Sequence, residues 1–253
     1  YIISSGDFGN DKTFVNVDKF LEITGNKYNL INALNYFNDI YNKFNKPYKF
    51  LFLNKMPRQH RLDLISKLKQ RDLLDNALWS NLSENILLPE KYQIIEKNYP
   101  REIFKIPYDL SYYDVLLFPQ FYIDTYFSVV TETNFDLPYS YCTEKIYKPI
   151  LMGSPFIVAS NYKFYQHLKD KGYKTFESLI DESFDNIYDN NKRLDAIVNS
   201  ISQLCQTNLD EFLIKAKPIC DYNRNHFLEE FGKCSLTRFN SLNNFFIKLI
   251  TER

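Results

Sequence analysis

The chain has 253 residues, which is enough to bury the core of one large α/β domain or of two small ones and excludes a short peptide scaffold. Its 31 Lys and Arg residues balance its 31 Asp and Glu residues, so no overall positive field would attract it to nucleic acid or to an anionic membrane. Any anion site must therefore be local. No apolar run reaches the roughly 18 residues that a transmembrane segment needs.

The four cysteines show neither a Cys-x-x-Cys pair nor the spacing of metal ligands, so we expect no structural zinc. In a chain of this length four thiols do not make a disulfide framework. We therefore expect them to be reduced and mostly buried, which favours a cytoplasmic setting. The four residues are Cys142, Cys205, Cys220 and Cys234.

The first amphipathic segment covers residues 28–44, where apolar side chains recur at helical spacing. Residues 48–54 are short and apolar, as in a buried strand. A helix over 59–70 follows this strand. Three of its apolar side chains are expected to face inward: Leu62, Ile65 and Leu68.

The order of strand, loop and helix then recurs along the chain. Strands over 126–131 and 155–159 alternate with helices over 143–152 and 162–171, and residues 173–176 are predicted as one more short strand. From Lys192 onward the pattern is helical to the end. Such alternation predicts an α/β fold with a Rossmann-like parallel sheet and helices on both faces.

The same pattern predicts the division of the chain into domains. We expect one compact domain from about residue 47 to residue 253. We expect residues 1–46 to be the tail of a preceding, N-terminal domain.

Cationic side chains follow the first predicted strand where a helix begins. Asn54 ends the strand, and Lys55, Arg58, His60 and Arg61 come after it. Positive charges oppose the dipole of a helix N-terminus, and a bound anion would remove that conflict. Because a guanidinium matches a phosphate, Arg61 or Arg58 is predicted to bind one, with intradomain ion pairing as the alternative. His60 fits either a backbone-bonded helix start or a catalytic base.

Charged residues also follow the strand at 126–131. Thr143 is typical of an N-cap, and Glu144 is an acid favoured in a first helical turn. That account does not explain Lys145 or Glu132. A ligand with a ribose and a diphosphate would use a carboxylate for the ribose hydroxyls and cations for the phosphates. Since open α/β sheets bind ligands at the carboxyl ends of their strands, both charged segments are expected at one site.

These runs resemble a known signature. The order is Glu132-Thr133-Asn134, a loop with Pro and Tyr, Thr143-Glu144-Lys145-Ile146, a helix, and then Gly153-Ser154-Pro155-Phe156-Ile157-Val158. It is similar to the donor-binding signature of the α1,3-fucosyltransferase family, with E-N-S, T-E-K-[IL] and P-V-V runs. The continuation over 168–184 resembles viral and bacterial glycosyltransferases with the same motif. The resemblance covers about residues 48–200.

The resemblance implies the C-terminal lobe of a GT-B type glycosyltransferase. Such an enzyme moves a sugar, fucose in that family, from a nucleotide-diphosphate donor to a hydroxyl of a glycan or protein acceptor, with inversion. It implies that Arg61 and Lys145 contact the diphosphate and that Glu144 and Glu132 contact the ribose or the sugar. The catalytic base of the family lies in its N-terminal domain, and no motif of this sequence selects one. Three further residues of the same segments complete the expected donor site: Asn54, Arg58 and Thr143.

The sequence contains no Asp-x-Asp pair, which metal-dependent glycosyltransferases of the other main fold use to hold a divalent ion. We therefore expect no metal and no cofactor, with the nucleotide sugar as the substrate. Two alternatives stay open. One is a GT-B enzyme with another hexose donor, and the other is a non-catalytic module that binds carbohydrate or nucleotide through its aromatic side chains. A Rossmann oxidoreductase is disfavoured because no Gly-x-Gly-x-x-Gly run follows a predicted strand.

Overall fold

The structure, a computed structural model, describes residues 27–97 and 116–235. Four parallel strands form one sheet in the order β2-β1-β3-β4. The strands are β1 (Tyr48–Asn54), β2 (Ala77–Asn81), β3 (Thr125–Thr131) and β4 (Phe156–Ala159). The predicted α/β fold with a parallel sheet is confirmed.

Eight α-helices lie within the described ranges. They are α1 (Lys27–Asn42), α2 (Gln59–Lys69), α3 (Glu90–Lys97), α4 (Pro119–Ile123), α5 (Glu144–Met152), α6 (Phe164–Asp170), α7 (Asn190–Cys205) and α8 (Leu209–Ser235). None of these helices is long and apolar enough to cross a bilayer. The helical pattern predicted beyond residue 235 lies outside the described residues.

Helices cover both faces of the sheet. The chain moves from β1 to β2 in one direction and from β3 to β4 in the other, so right-handed crossovers place α2 and α5 on opposite faces. In agreement, α2 packs against α7, whereas α5 packs against α1 and α8. The aromatic side chains of Phe50, Phe52 and Phe127 are almost fully buried in the sheet between the two helical layers.

Helix α1 packs onto the same core as the sheet. Leu30, Ala33 and Ile40 are fully buried. The Arg224 guanidinium of α8 donates a hydrogen bond to the Ala33 carbonyl at 3.3 Å. Residues 27–42, which were predicted to be part of the tail of a preceding domain, therefore contribute to this core. The boundary near residue 47 stays a prediction.

Two predicted details are wrong. Residues 173–176 form no strand, because the Asn223 side chain of α8 pairs with both the N–H and the carbonyl of Lys174, at 2.7 and 2.8 Å, where a neighbouring strand would pair. In α2, Leu64 is buried in place of Leu62. The buried face of α2 runs through residues 60, 61, 64, 65 and 68, a helical spacing that leaves Leu62 at its margin.

Candidate functional site

A cleft of about 210 Å³ opens at the carboxyl edge of the sheet, between the ends of β1 and β3. The chain reverses its direction across the sheet at these two strands, since β2 lies beyond β1 and β4 lies beyond β3. Helices α2 and α5 both begin at this edge. Open α/β sheets bind their ligands at such switch points.

The cleft combines charged and apolar surfaces. Five cationic side chains form what we call the cationic rim: Lys55, Arg58, Arg61, Lys145 and Lys148. Five further residues form the apolar floor: Leu51, Leu53, Leu82, Tyr122 and Val130. Among the described residues that line the cleft, Glu144 is the one carboxylate. This balance of charge favours an anionic ligand with an apolar part.

Arg61 is the most deeply buried residue of the rim and joins the ends of β1 and β3. Its Nη1 donates to the Met56 carbonyl at 3.1 Å and its Nη2 to the Thr131 carbonyl at 3.3 Å. Its Nε has no hydrogen-bond partner among the described residues. Burial, together with the neighbouring charge of Arg58, lowers the pKa of Arg61, yet a guanidinium stays protonated in a protein. Arg61 therefore brings a full positive charge to the cleft, and its Nε is the nitrogen without a partner among the described residues.

Helix α2 begins without the groups that usually stabilise a helix N-terminus. Arg58 occupies the N-cap position with extended backbone angles and makes no side-chain cap, and the first turn contains no acid. The Arg58 side chain is exposed on the rim. An anion bound here would satisfy both the helix dipole and the arginine.

Asn54 and Thr131 lie side by side where β1 and β3 end. The Thr131 hydroxyl donates to Asn54 Oδ1 at 2.7 Å, which fixes the orientation of the amide. Asn54 is only 4% exposed, and its Nδ2 has no partner among the described residues. An unsatisfied buried donor costs about 1–3 kcal/mol, so a ligand oxygen at this position would be favoured.

Glu132 lies beneath the wall of the cleft and does not line it. Its fully buried carboxylate accepts from the Thr143 hydroxyl at 2.6 Å and from the Thr143 N–H at 3.2 Å. Burial raises the pKa of Glu132, although Lys145 and Thr143 act in the opposite direction. The position of Glu132 is that of a support for Thr143 rather than of a direct ligand contact.

Thr143 and the next two residues form the first turn of α5. Thr143 caps the helix by accepting from the Lys145 N–H at 3.2 Å. Lys145 Nζ forms an ion pair with Glu144 Oε1 at 2.6 Å. Burial alone would lower the pKa of Lys145, but the carboxylates of Glu144 and Glu132 outweigh it and the pKa is raised. Lys145 thus stays cationic on the wall of the cleft, and Oε2 of Glu144 is left for a ligand.

His60 has the contacts of a structural residue. Its Nε2 lies 3.1 Å from the Glu132 carbonyl oxygen, and its ring stacks on Phe135 with 5.0 Å between the centroids. Burial, followed by the charge of Arg61, lowers the pKa of His60 to about 4. The imidazole is therefore neutral at pH 7. The sequence left two roles open for His60, a backbone-bonded helix start or a catalytic base, and these contacts match the first.

Several residues of the cleft were not predicted from the sequence. Ser80 lies on β2 and Tyr122 on α4, and neither element was predicted. Lys148 follows Glu144 by four residues on α5, so it shares the same helix face. Helical spacing alone would have identified Lys148 once the site had been placed at the start of α5.

The described residues contain no obvious metal centre. Within 27–97 and 116–235, no three His, Cys, Asp or Glu side chains lie close enough together to hold a metal ion.

Of the predicted site residues, five line the cleft and two, Glu132 and Thr143, lie behind its wall. Comparisons with protein-family models, with curated proteins and with solved structures gave no match.

Proposed function

We propose that this chain is a glycosyltransferase whose cleft binds a nucleotide-diphosphate sugar. One observation carries the proposal: the cationic rim lies at the switch point of the sheet, above two buried donors without partners among the described residues, Arg61 Nε and Asn54 Nδ2. Because the rim holds several cations, a ligand with more than one negative charge, such as a diphosphate, is favoured.

The positions of the rim residues support different roles. Arg58 and Lys145 are accessible and contact the diphosphate oxygens directly. Arg61 and Asn54 lie deeper, where Arg61 contributes its positive charge and each residue has a buried nitrogen without a partner among the described residues. Glu144 accepts from the ribose hydroxyls through Oε2, the carboxylate oxygen outside its ion pair.

The reaction is a displacement at the anomeric carbon by an acceptor hydroxyl, with inversion. Negative charge gathers on the leaving diphosphate, and Arg58, Arg61 and Lys145 stabilise it. Each charge-assisted hydrogen bond contributes about 1.5–3 kcal/mol. In this proposal the cationic side chains balance the diphosphate without a divalent metal ion and without a cofactor.

The finer parts of the proposal depend on the resemblance to α1,3-fucosyltransferases. It favours fucose as the donor sugar, a GT-B type C-terminal lobe as the domain, and a glycan or protein hydroxyl as the acceptor. Another hexose donor fits the same rim. The base that deprotonates the acceptor has no assigned residue. Acidic residues before residue 27, such as Asp7 and Asp11, lie outside the described part of the chain.

A cytoplasmic setting is also part of the proposal. Cys205 and Cys220 are buried thiols. Burial raises the pKa of Cys205 to about 11 and that of Cys220 to about 12, so both stay protonated at neutral pH. Buried, protonated cysteines are typical of a protein in a reducing compartment.

A non-catalytic module that binds nucleotides is the second candidate. The observation in its favour is that Glu144, the one carboxylate among the described lining residues, is already paired with Lys145. That carboxylate is therefore held in an ion pair, an arrangement that suits binding of a ligand. Such a module would bind a nucleotide sugar and leave it intact.

The first test is a calorimetric screen of GDP, UDP, CDP and dTDP, each with and without EDTA. We expect saturable binding of one diphosphate that survives EDTA, and GDP would point to fucose. The matching nucleotide sugar is then assayed for transfer and hydrolysis. Turnover supports the glycosyltransferase, whereas binding without turnover supports the module.

Substitution of Arg58 tests the rim itself. We expect Arg58→Ala to weaken diphosphate binding about tenfold or more, since it removes a charge-assisted contact without disturbing buried structure. Arg71→Ala is the matched control, because Arg71 is also exposed but lies outside the cleft, where it bonds Asn199. Equal affinity of the two variants would remove the phosphate assignment.

A further inference from the structure

Two hydroxyl groups at the apolar floor make no hydrogen bond within the described part of the chain. They belong to Ser80 on β2 and to Tyr122 on α4, both of which line the cleft and are 6% exposed. Burial raises the pKa of Tyr122, and no hydrogen bond or charge opposes that effect. By contrast, Ser128, which also lines the cleft, has the Ser154 hydroxyl 3.3 Å away. Neither hydroxyl oxygen belongs to the fully enclosed, unpartnered polar atoms of the described residues, so both can pair with polar atoms of a ligand in the cleft.

The floor and the rim line the same cleft. Leu53 is in register with Ser80, and Leu51 is in register with Ser128. Leu51 precedes Asn54, the last residue of β1, by three positions, which corresponds to roughly 10 Å along a strand. A ligand whose phosphates lie at the rim therefore extends its other end over the floor.

The chemistry of the floor distinguishes between the two ends of a nucleotide sugar. Most of the floor consists of aliphatic side chains, among them Leu51, Leu53 and Val130. Leu53 is 37% exposed although it lies on a central strand. A sugar ring carries several hydroxyls, and most of them would lose their water here without a replacement, at a cost of about 1–3 kcal/mol each. A nucleobase has two apolar faces and a few polar atoms at its edge, which this surface can satisfy.

We propose that the apolar floor binds the nucleobase and that the Ser80 and Tyr122 hydroxyls recognise its polar edge. This inference depends on the proposed function, because the phosphates at the rim position the base. Residues of β2 and α4 would then determine which nucleobase the cleft binds. The sugar would extend from the rim toward the open side of the cleft.

Pyrophosphate separates the two parts of the cleft, because it has the charge of the diphosphate and no base. On the full chain we expect the preferred nucleoside diphosphate to bind at least tenfold more tightly than pyrophosphate. Tyr122→Phe should weaken that nucleotide threefold to tenfold, the loss of about one hydrogen bond, and leave pyrophosphate unchanged. Ser80→Ala should act in the same way. Tyr188→Phe is the control, since Tyr188 is 78% exposed and lies outside the cleft.

The outcomes distinguish this inference from the function on which it depends. If pyrophosphate binds as tightly as every nucleoside diphosphate, or if Tyr122→Phe weakens both ligands equally, the floor does not bind the base while the rim still binds phosphate. If the wild-type chain binds neither class, both the proposed function and this inference are wrong. Thermal unfolding of each variant shows whether an affinity change reflects a loss of folded protein.

Discussion

Thr143 connects the two charged segments of the candidate site through one side chain. Its hydroxyl donates to the Glu132 carboxylate and accepts from the Lys145 N–H. The end of β3 is thereby tied to the first turn of α5, where Glu144 and Lys145 face the cleft. An N-cap usually stabilises only its own helix. Thr143 also fixes the position of Glu144 and Lys145 relative to the end of β3.

Replacement of Thr143 by Val tests this connection with little change in shape. We expect the free energy of unfolding to fall by about 1–2 kcal/mol, because α5 loses its cap and a buried carboxylate oxygen loses its donor. Nucleoside diphosphate affinity should fall as well, since Lys145 is no longer held. Urea unfolding and calorimetry measure the two effects. Thr207→Val is the control, because the exposed Thr207 hydroxyl bonds only the Leu204 carbonyl, and equal stability losses would contradict the role of Thr143.

At the residue scale, the sequence was enough to place the charged segments at one edge of the sheet, but not to predict which of their side chains are buried. Arg58 and Arg61 follow β1, and Glu144 and Lys145 follow β3, so the order of parallel strands was enough to bring them together. Arg61 is buried because α2 packs so that its guanidinium reaches two backbone carbonyls. One of these carbonyls is distant in sequence, so local sequence patterns do not predict the contact. The roles of these charged residues toward a ligand stay predictions.

Helix α5 ends at Gly153, which has a φ of +71° and lies against the Phe37 ring of α1. A Cβ at this position would overlap that ring, so the residue provides both the left-handed backbone and the space for helix packing. The end of α5 and the position of α1 therefore depend on the same residue.

Gly153→Ala should lower the free energy of unfolding by about 2–4 kcal/mol, which combines the cost of left-handed backbone with the displacement of a packed ring. Gly172→Ala is the matched comparison, since Gly172 also has a positive φ but its added Cβ would meet the end of the His226 side chain. We expect it to cost only about 1–2 kcal/mol. Denaturant titration gives both values, and equal costs would show that Phe37 moves freely.

At the element scale, the sequence predicted the longer and more regular segments. Apolar runs identified β1, β3 and β4, and helical spacing identified α1 and α2. Strand β2 and α4 were not predicted, because β2 has only three apolar residues before Ser80 and Asn81, and the five residues of α4 are too few to show a helical period. The predicted strand at 173–176 has suitable residues, but the backbone of Lys174 is paired by a side chain of α8, and that partner is distant in sequence.

At the scale of the whole molecule, α1 and the sheet share one core, because the buried face of α1 packs against α4, α5 and α8. Trp79 on β2 is the only tryptophan of the sequence, so its fluorescence reports on the sheet at a strand away from α1. One shared core implies that damage to α1 lowers the stability that is measured at Trp79.

Ile40→Ala tests this coupling. We expect a loss of about 2–5 kcal/mol in unfolding followed through Trp79, since Ile40 is fully buried. Tyr36→Ala on the same helix is the control and should cost less than about 1 kcal/mol, because Tyr36 is 44% exposed and does not belong to the buried core. A Trp79 transition unchanged by Ile40→Ala would mean that α1 unfolds independently, as expected of the tail of a separate domain.

The strand order also determines when the cleft forms as the chain leaves the ribosome. β1 is complete at residue 54, but its neighbour β3 ends only at residue 131, and α5 ends at residue 152. A nascent chain that has not reached β3 therefore holds an apolar central strand with one unpaired edge. Such edges are prone to join other chains. The strand order that forms the cleft in the finished protein thus leaves one edge of β1 unpaired during synthesis, a state that favours chaperone binding.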